Sequence, residues 1–269
     1  MRIKTMEKVL AKKFNEFLES IKDEKVKALV KDNTIITGGC FVSLWMNEEV
    51  NDFDLYFRNQ ETVVAVAAYY VAMRGGPIKE GFEVLSDNDG RVSVYIKSSG
   101  VLGPPEDKEK RPKFYPVYFT SNSVTLSDKI QLITRFYGSP EDIHKNYDFI
   151  HCINYWDSKT GKVTMTIEAM DAMVNKVLIY QGSKYPICSI IRTRKFIQRG
   201  WKINAGQYLK MCMQVNDFDL TDIEVLKDQL VGVDSAYFNH LIDLVEQARD
   251  EGKAIDNIRI IDIIDEVFD

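Results

Sequence analysis

After about residue 165 the apolar residues of this sequence recur only at three- and four-residue intervals, whereas before it they come mostly in short runs bounded by turn residues. That switch of period constrains the fold more than any other feature. It predicts an α+β chain in which a mixed or antiparallel sheet comes first and an all-helical part second. The expected domains are 1–164 and 165–269.

Residues 4–31 place Val9, Leu10, Phe14, Phe17, Leu18 and Ile21 at helical spacing, and Thr34-Ile35-Ile36 then reads as a short buried strand running into Gly38-Gly39. Residues 40–47 open a further helix, Phe53 to Phe57 alternates as a strand, and 61–74 is helical up to Gly75-Gly76-Pro77. FEVLS and RVSVYI flank Asp-Asn-Asp-Gly, a hairpin signal. Gly103 to Lys113 is a charged, proline-rich loop, expected to be exposed and mobile, and YPVYFTS, KIQLITRF and a hairpin around Ser158–Gly161 complete the strands. The helices expected beyond them cover 167–181, 186–199, 205–215, 221–231, 235–250 and 255–268.

One segment carries chemistry. Gly38 and Gly39 stand at a strand-to-helix turn, where glycines let backbone N–H groups approach a phosphate closely. Ser43 lies one helical turn beyond Gly39, placed to donate to the same phosphate. Asp52 and Asp54 follow at alternate positions of a strand, so both carboxylates project from one face of a sheet. Paired hard oxygen ligands suit Mg²⁺ or Mn²⁺ bridging carboxylates and nucleotide phosphates, the catalytic role expected of Asp52 and Asp54.

Gly-Gly, a short helix, then Asp-x-Asp on a strand resembles the signature of DNA polymerase beta-type nucleotidyltransferases. The Gly-Gly form looks most like the tRNA CCA-adding and poly(A) polymerase branch. Two further segments resemble that branch in the order it requires: Asn146-Tyr147-Asp148-Phe149, near the nucleotide sugar, and Ile190 to Ile203, the opening of the helical neck. The resemblance implies a nucleotidyltransferase palm followed by a helical neck. It also implies transfer of a nucleoside monophosphate from an NTP to a hydroxyl, with an RNA 3′ end such as that of tRNA as acceptor. Asp148, Arg192, Lys195 and Arg199 would then join Gly38, Gly39 and Ser43 in holding the nucleotide. Gln131 stands where the resemblance would put a third carboxylate, and Asn146 and Tyr147 stand where it would put two arginines. Two other readings stay open: a toxin- or defence-type nucleotidyltransferase modifying tRNA or protein, and an inactive palm kept as a nucleotide- or protein-binding module.

Asn-Asp-Phe-Asp-Leu occurs twice, at 51–55 and 216–220. The second copy lacks an upstream Gly-Gly and precedes Thr221-Asp222-Ile223-Glu224, so it reads as a loop and helix cap. Residues 172–216 hold eight basic residues and no acid, while 241–269 hold nine acids and three bases. That asymmetry fits either a phosphate-facing wall or a solvated face paired with the acidic end. His144 and His151 read as surface and sheet residues. Met170, Met173, Phe196, Met211, Met213 and Phe238 read as core.

With a net charge of -5, an all-over nucleic-acid coat is excluded and a local basic groove is not. No apolar run reaches the roughly 18–20 residues that span a bilayer. Four scattered cysteines and three histidines show no zinc spacing, which leads to the expectation of a reduced, cytoplasmic protein.

Overall fold

The structure, a computed structural model, describes residues 1–73, 82–86, 92–96, 100–101, 112–120, 122–230 and 236–268, with backbone alone for the strands between 82 and 101 and for Ala236. The glycine-proline stop at 75–77, the hairpin turn at 87–90 and most of the loop from Gly103 lie outside these residues. Two compact units form, one of Met1–Lys145 with His151–Met173 and one of Asn146–Ile150 with Val174–Asp269.

The first unit is built on an eight-stranded sheet. Its strands are β1 (Thr34–Thr37), β2 (Phe53–Phe57), β5 (Gly100–Val101), β6 (Pro116–Phe119), β7 (Ser123–Leu126), β8 (Ile130–Tyr137), β9 (Tyr155–Asp157) and β10 (Lys162–Thr164). They lie in the order β10-β9-β1-β2-β8-β7-β6-β5. The β2–β8 pair is parallel and the other described pairs of this sheet are antiparallel, so the sheet is mixed. The expected hairpin β3 (Phe82–Ser86) and β4 (Val92–Ile96) is present as a separate antiparallel pair.

One face of the sheet is apolar. Ile36, Leu55, Leu132, Val124 and Trp156, linked strand to strand by register, join one core with α1 (Ile3–Ser20), α2 (Glu24–Asn33) and α4 (Gln60–Met73). α1 contributes Met6, Leu10, Phe14, Phe17 and Leu18, all buried, each worth roughly 1.5–3 kcal/mol by area. The helical spacing read over 4–31 belongs to two helices. Asp23 divides them, because its side chain accepts from the amides of Lys25 and Val26 and so caps α2.

The second unit is helical, as expected. It holds α7 (Pro186–Gln198), α8 (Ala205–Val215), α9 (Ile223–Leu230), α10 (Ala236–Asp250) and α11 (Asn257–Phe268). α8 packs on α7, α7 on α9, α9 on α10 and α10 on α11. The helix expected over 167–181 stops early, as α6 (Ile167–Asn175). Lys176 turns to a φ of 50°, and Val177 and Tyr180 then form bridges with Lys202 and Phe149. Here tertiary pairing overrides a helical period. Among the described residues no helix is long and apolar enough to cross a membrane.

Candidate active site

β1 delivers the glycines. Gly38 has a φ of 89°, a left-handed conformation that side-chain-bearing residues seldom adopt, so glycine is required by the turn itself. Gly39 is ordinary in backbone (φ -63°) and caps α3 (Cys40–Met46). A Cβ built on Gly39 meets nothing within 4 Å, so this exposed residue leaves open space beside the turn. Ser43, one turn on, is buried, and its amide bonds back to the Gly39 carbonyl.

β2 delivers the carboxylates. Asp52 is exposed and lies immediately before the strand; Asp54 is half-buried within it. Thr37 and Asp54 are register partners in the antiparallel β1–β2 pair, so the glycine turn and Asp52 leave neighbouring strands at the same end of the sheet. The β7–β8 turn fixes that end. Asp128 and Lys129 both take φ near 60° (60° and 62°), the geometry of a tight hairpin turn. The Lys129 carbonyl accepts from the Phe53 amide at 2.8 Å. Its ammonium donates to the Val50 carbonyl at 2.9 Å and pairs with Glu49, tethering the loop before Asp52.

On the sheet face opposite the apolar core, register places Thr37, Asp54, Gln131 and Thr125 side by side on β1, β2, β8 and β7. The residue beside Asp54 on β8 is therefore the neutral Gln131, whose amide nitrogen donates to Ser123 Oγ at 3.2 Å. Among the described residues no group of three or more His, Cys, Asp and Glu side chains is placed to hold a metal ion. Asp52 and Asp54 supply hard oxygen donors with two negative charges, a set that fits one Mg²⁺ or Mn²⁺ completed by phosphate and water. Burial first, and the charge of Asp54 second, push the Cys40 thiol well above the ordinary range.

Sequence reasoning missed a buried polar contact at the edge of this row. α5 (Pro140–His144), started by a Ser139–Asp142 capping box, brings His144 Nε2 to 2.8 Å from Thr37 Oγ1. The Thr37 hydroxyl gives its one hydrogen to the Asn154 carbonyl at 2.8 Å, so His144 Nε2 must be the donor of the shared bond. Burial lowers the His144 pKa to about 4, leaving the ring neutral. His144 is thus not a plain surface residue, and His151 sits fully buried in a 3-10 turn rather than in a strand. No local sequence signal marks either, since the pairing partners come from distant segments.

In the second unit the structure joins two of the remaining candidates to each other. Asp148 is buried, and its carboxylate pairs with the guanidinium of Arg192 on α7. The Asp148 carbonyl accepts from the Gln181 amide at 3.0 Å, and Phe149 packs edge-on against Tyr180 and Phe196, each at 6.0 Å. Burial chiefly, with the nearby Asp148 charge adding, lifts the Tyr180 hydroxyl to about 12. Lys195 is exposed on α7, while Arg199 caps it and lies 6.0 Å from the Phe196 ring centroid. Gly200, with a φ of 81°, ends the helix, and the Trp201 amide returns to the Phe196 carbonyl at 3.0 Å. The second Asn-Asp-Phe-Asp-Leu is the loop and cap its context indicated. Asp219 accepts from the Thr221 amide at 3.0 Å, and Asp222 accepts from the Glu224 amide at 2.9 Å just as α9 begins.

The model of the "Gabija anti-defense 2 family protein" matches residues 8–176, which span the sheet, the glycine turn and both aspartates. The chain belongs to the Gabija anti-defense 2 family. A curated relative, "Gabija anti-defense 2" of Bacillus phage SPbetaL7, is 23% identical over 249 residues, covering 91% of this chain and 53% of the relative. The chain thus spans about half the length of the curated relative it matches. Among solved structures, a Thermotoga maritima CCA-adding enzyme complexed with tRNA_CCA superposes at a TM-score of 0.41 with 15% identity, over 78% of this chain and 46% of that one. A CCA-adding enzyme with CTP gives a TM-score of 0.42 with 14% identity, over 80% and 48%. Likeness at this level says nothing of activity.

Proposed function

We propose that this member of the Gabija anti-defense 2 family is a divalent-cation-dependent nucleotidyltransferase that moves a nucleoside monophosphate from an NTP to a hydroxyl of an RNA or protein acceptor. The observation that carries the reading is the shared sheet end of the left-handed Gly38 turn and the Asp52/Asp54 pair, with open space over Gly39. Asp52 and Asp54 hold the cation, and what Mg²⁺ or Mn²⁺ supplies there is neutralisation of the triphosphate. The Gly38–Gly39 turn admits the phosphates close to the backbone, with Ser43 behind it. Within the second unit Asp148 holds the guanidinium of Arg192.

In the reaction the acceptor oxygen attacks the α-phosphorus and a new P–O bond forms. The bond from the α-phosphorus to the bridging oxygen breaks, and pyrophosphate leaves with the electron pair. The acceptor proton passes to solvent. The relative is named an anti-defense protein and comes from a phage, which favours an acceptor belonging to a host defence system.

One observation favours a second reading, an inactive nucleotide-binding module: the place beside Asp54 is held by a carboxamide. Incubation with each NTP radiolabelled at the α-phosphate, Mg²⁺ or Mn²⁺, and cellular RNA or protein separates the two. Label transferred by the wild type and lost in Asp52→Ala and Asp54→Ala supports the transferase. Cation-dependent NTP binding with no transfer supports the module.

A further inference from the structure

The acid-free stretch 172–216 keeps most of its positive charge without a counter-charge in the fold. Arg192 pairs with Asp148. Among the described residues no ion pair forms at Lys176, Lys184, Arg194, Lys195, Lys202 or Lys210. The described pairs of the acidic end, residues 241–269, are with Lys227, Arg249 and Lys253, so that end does not neutralise these six cations.

Part of this charge gathers where α7 ends. Lys195 and Arg199 stand one helical turn apart on one face, a like-charge spacing that opposes the helix. The chain turns at Gly200 and comes back alongside 176–178. There the Lys202 amide donates to the Lys176 carbonyl at 2.7 Å, and the Leu178 amide donates to the Lys202 carbonyl at 2.8 Å. The Lys176 ammonium donates to the Arg199 carbonyl at 3.3 Å. Lys176, Lys195, Arg199 and Lys202 therefore surround one helix end. The carbonyls of a helix C-terminus attract a cation, and Lys176 fills that role, which leaves the other three unexplained by the helix itself.

The exposed groups among them are Gln198, Gly200 and Asn204, while Phe196 and Trp201 are buried. Ile197 falls on the other side of α7 by helical spacing. A protein partner is met by an apolar centre with charges at the rim, and this surface has cations and amides with no apolar centre. Phosphate oxygens take their contacts from such groups. We propose that the end of α7 binds the phosphodiester backbone of a nucleic-acid strand, with Lys176, Lys195, Arg199 and Lys202 taking up phosphate charge. The rings at this end are buried, so the strand is held by its phosphates rather than by stacked bases.

Fluorescence anisotropy of a labelled oligouridylate of about 15 nucleotides, titrated with the full chain over a range of KCl, tests this without NTP or divalent cation. Four phosphate contacts give a log–log slope of affinity against salt of about -2.8. Lys195→Gln/Lys202→Gln is expected to bring the slope to about -1.4 and to weaken binding at least about tenfold at low salt. Lys8→Gln/Lys12→Gln, the same loss of charge at exposed positions of α1, is expected to bind as the wild type does. Thermal melting checks that both variants fold. Asp52→Ala is expected to keep full binding, so loss of transfer and loss of binding are read apart. Oligothymidylate run alongside tells RNA from DNA as the source of the backbone, and either one bound with the expected slope supports the proposal. No binding of either strand at low salt overturns it, as does binding that Lys195→Gln/Lys202→Gln leaves unchanged. Polyglutamate that displaces the strand at equal charge also overturns it and points to an acidic protein.

Discussion

Asp54 on β2 and Gln131 on β8 are register partners in the parallel pair of the sheet, so a carboxylate and a carboxamide stand side by side on the same face. Two cations about 3.5–4 Å apart need bridging carboxylates, and a neutral amide adds none of the charge a second one requires. Wild-type protein with NTP is expected to bind one Mn²⁺ per chain, counted from the loss of the free-ion resonance signal. Gln131→Glu is expected to add a second site or tighten the first about tenfold, roughly 1.4 kcal/mol. Two bound ions in the wild type would contradict the one-cation reading, and none would contradict nucleotide transfer itself.

Asp52 is exposed, so its removal costs the fold little. Asp52→Ala is expected to shift stability by no more than about 0.5 kcal/mol, the usual range for surface substitutions. The same change is expected to lower transfer of label at least about a hundredfold, since the cation loses half its protein charge. Urea titration beside the labelling assay reads both.

Gly38 and Gly39 are separable. Alanine at Gly38 meets a φ of 89° and is expected to cost about 1–2 kcal/mol of stability. Alanine at Gly39, in ordinary helical geometry with open space at its Cβ, is expected to leave the melting temperature unchanged and to weaken NTP binding. If Gly39→Ala binds NTP as the wild type does, the phosphate does not approach there.

Asp148 is buried and Arg192 is partly exposed, so removing the arginine strands a carboxylate with little water. Arg192→Ala is expected to destabilise the chain by about 2 kcal/mol, and Asp148→Asn in that background to recover part of the loss. A double-mutant cycle by chemical denaturation gives the coupling; zero coupling would mean the pair is a surface contact.

His144 sets a pH dependence whose sign follows from its lowered pKa. The folded ring stays neutral down to about 4, while the unfolded ring takes up a proton near 6.5. Stability from this group is present above pH 6.5, falls progressively toward pH 4 and levels off below it. His144→Gln, which keeps a donor for Thr37, is expected to flatten that part of the melting-temperature profile. An unchanged slope in the variant would assign the acid sensitivity to other groups.

Local chemistry made much of this protein legible from its residues. The hairpin of β3 and β4, the strands β1 and β2, the switch to helices and the cap at the second Asn-Asp-Phe-Asp-Leu rest on periodicity, glycine geometry and side-chain capping, which act within a few residues. The sequence alone also determined the order in which Gly38, Gly39, Asp52 and Asp54 follow a strand and its turn. What it could not supply were pairings between distant segments. The parallel register that seats Gln131 beside Asp54, the His144–Thr37 bond and the Asp148–Arg192 pair exist only once the backbone has closed long loops. The same cause shortened α6, where bridges to Phe149 and Lys202 outweighed a helical period, and left Met213 of α8 exposed while Met211 is buried. Helical spacing fixes which residues share a face; which face meets protein and which meets water is decided by what packs against it.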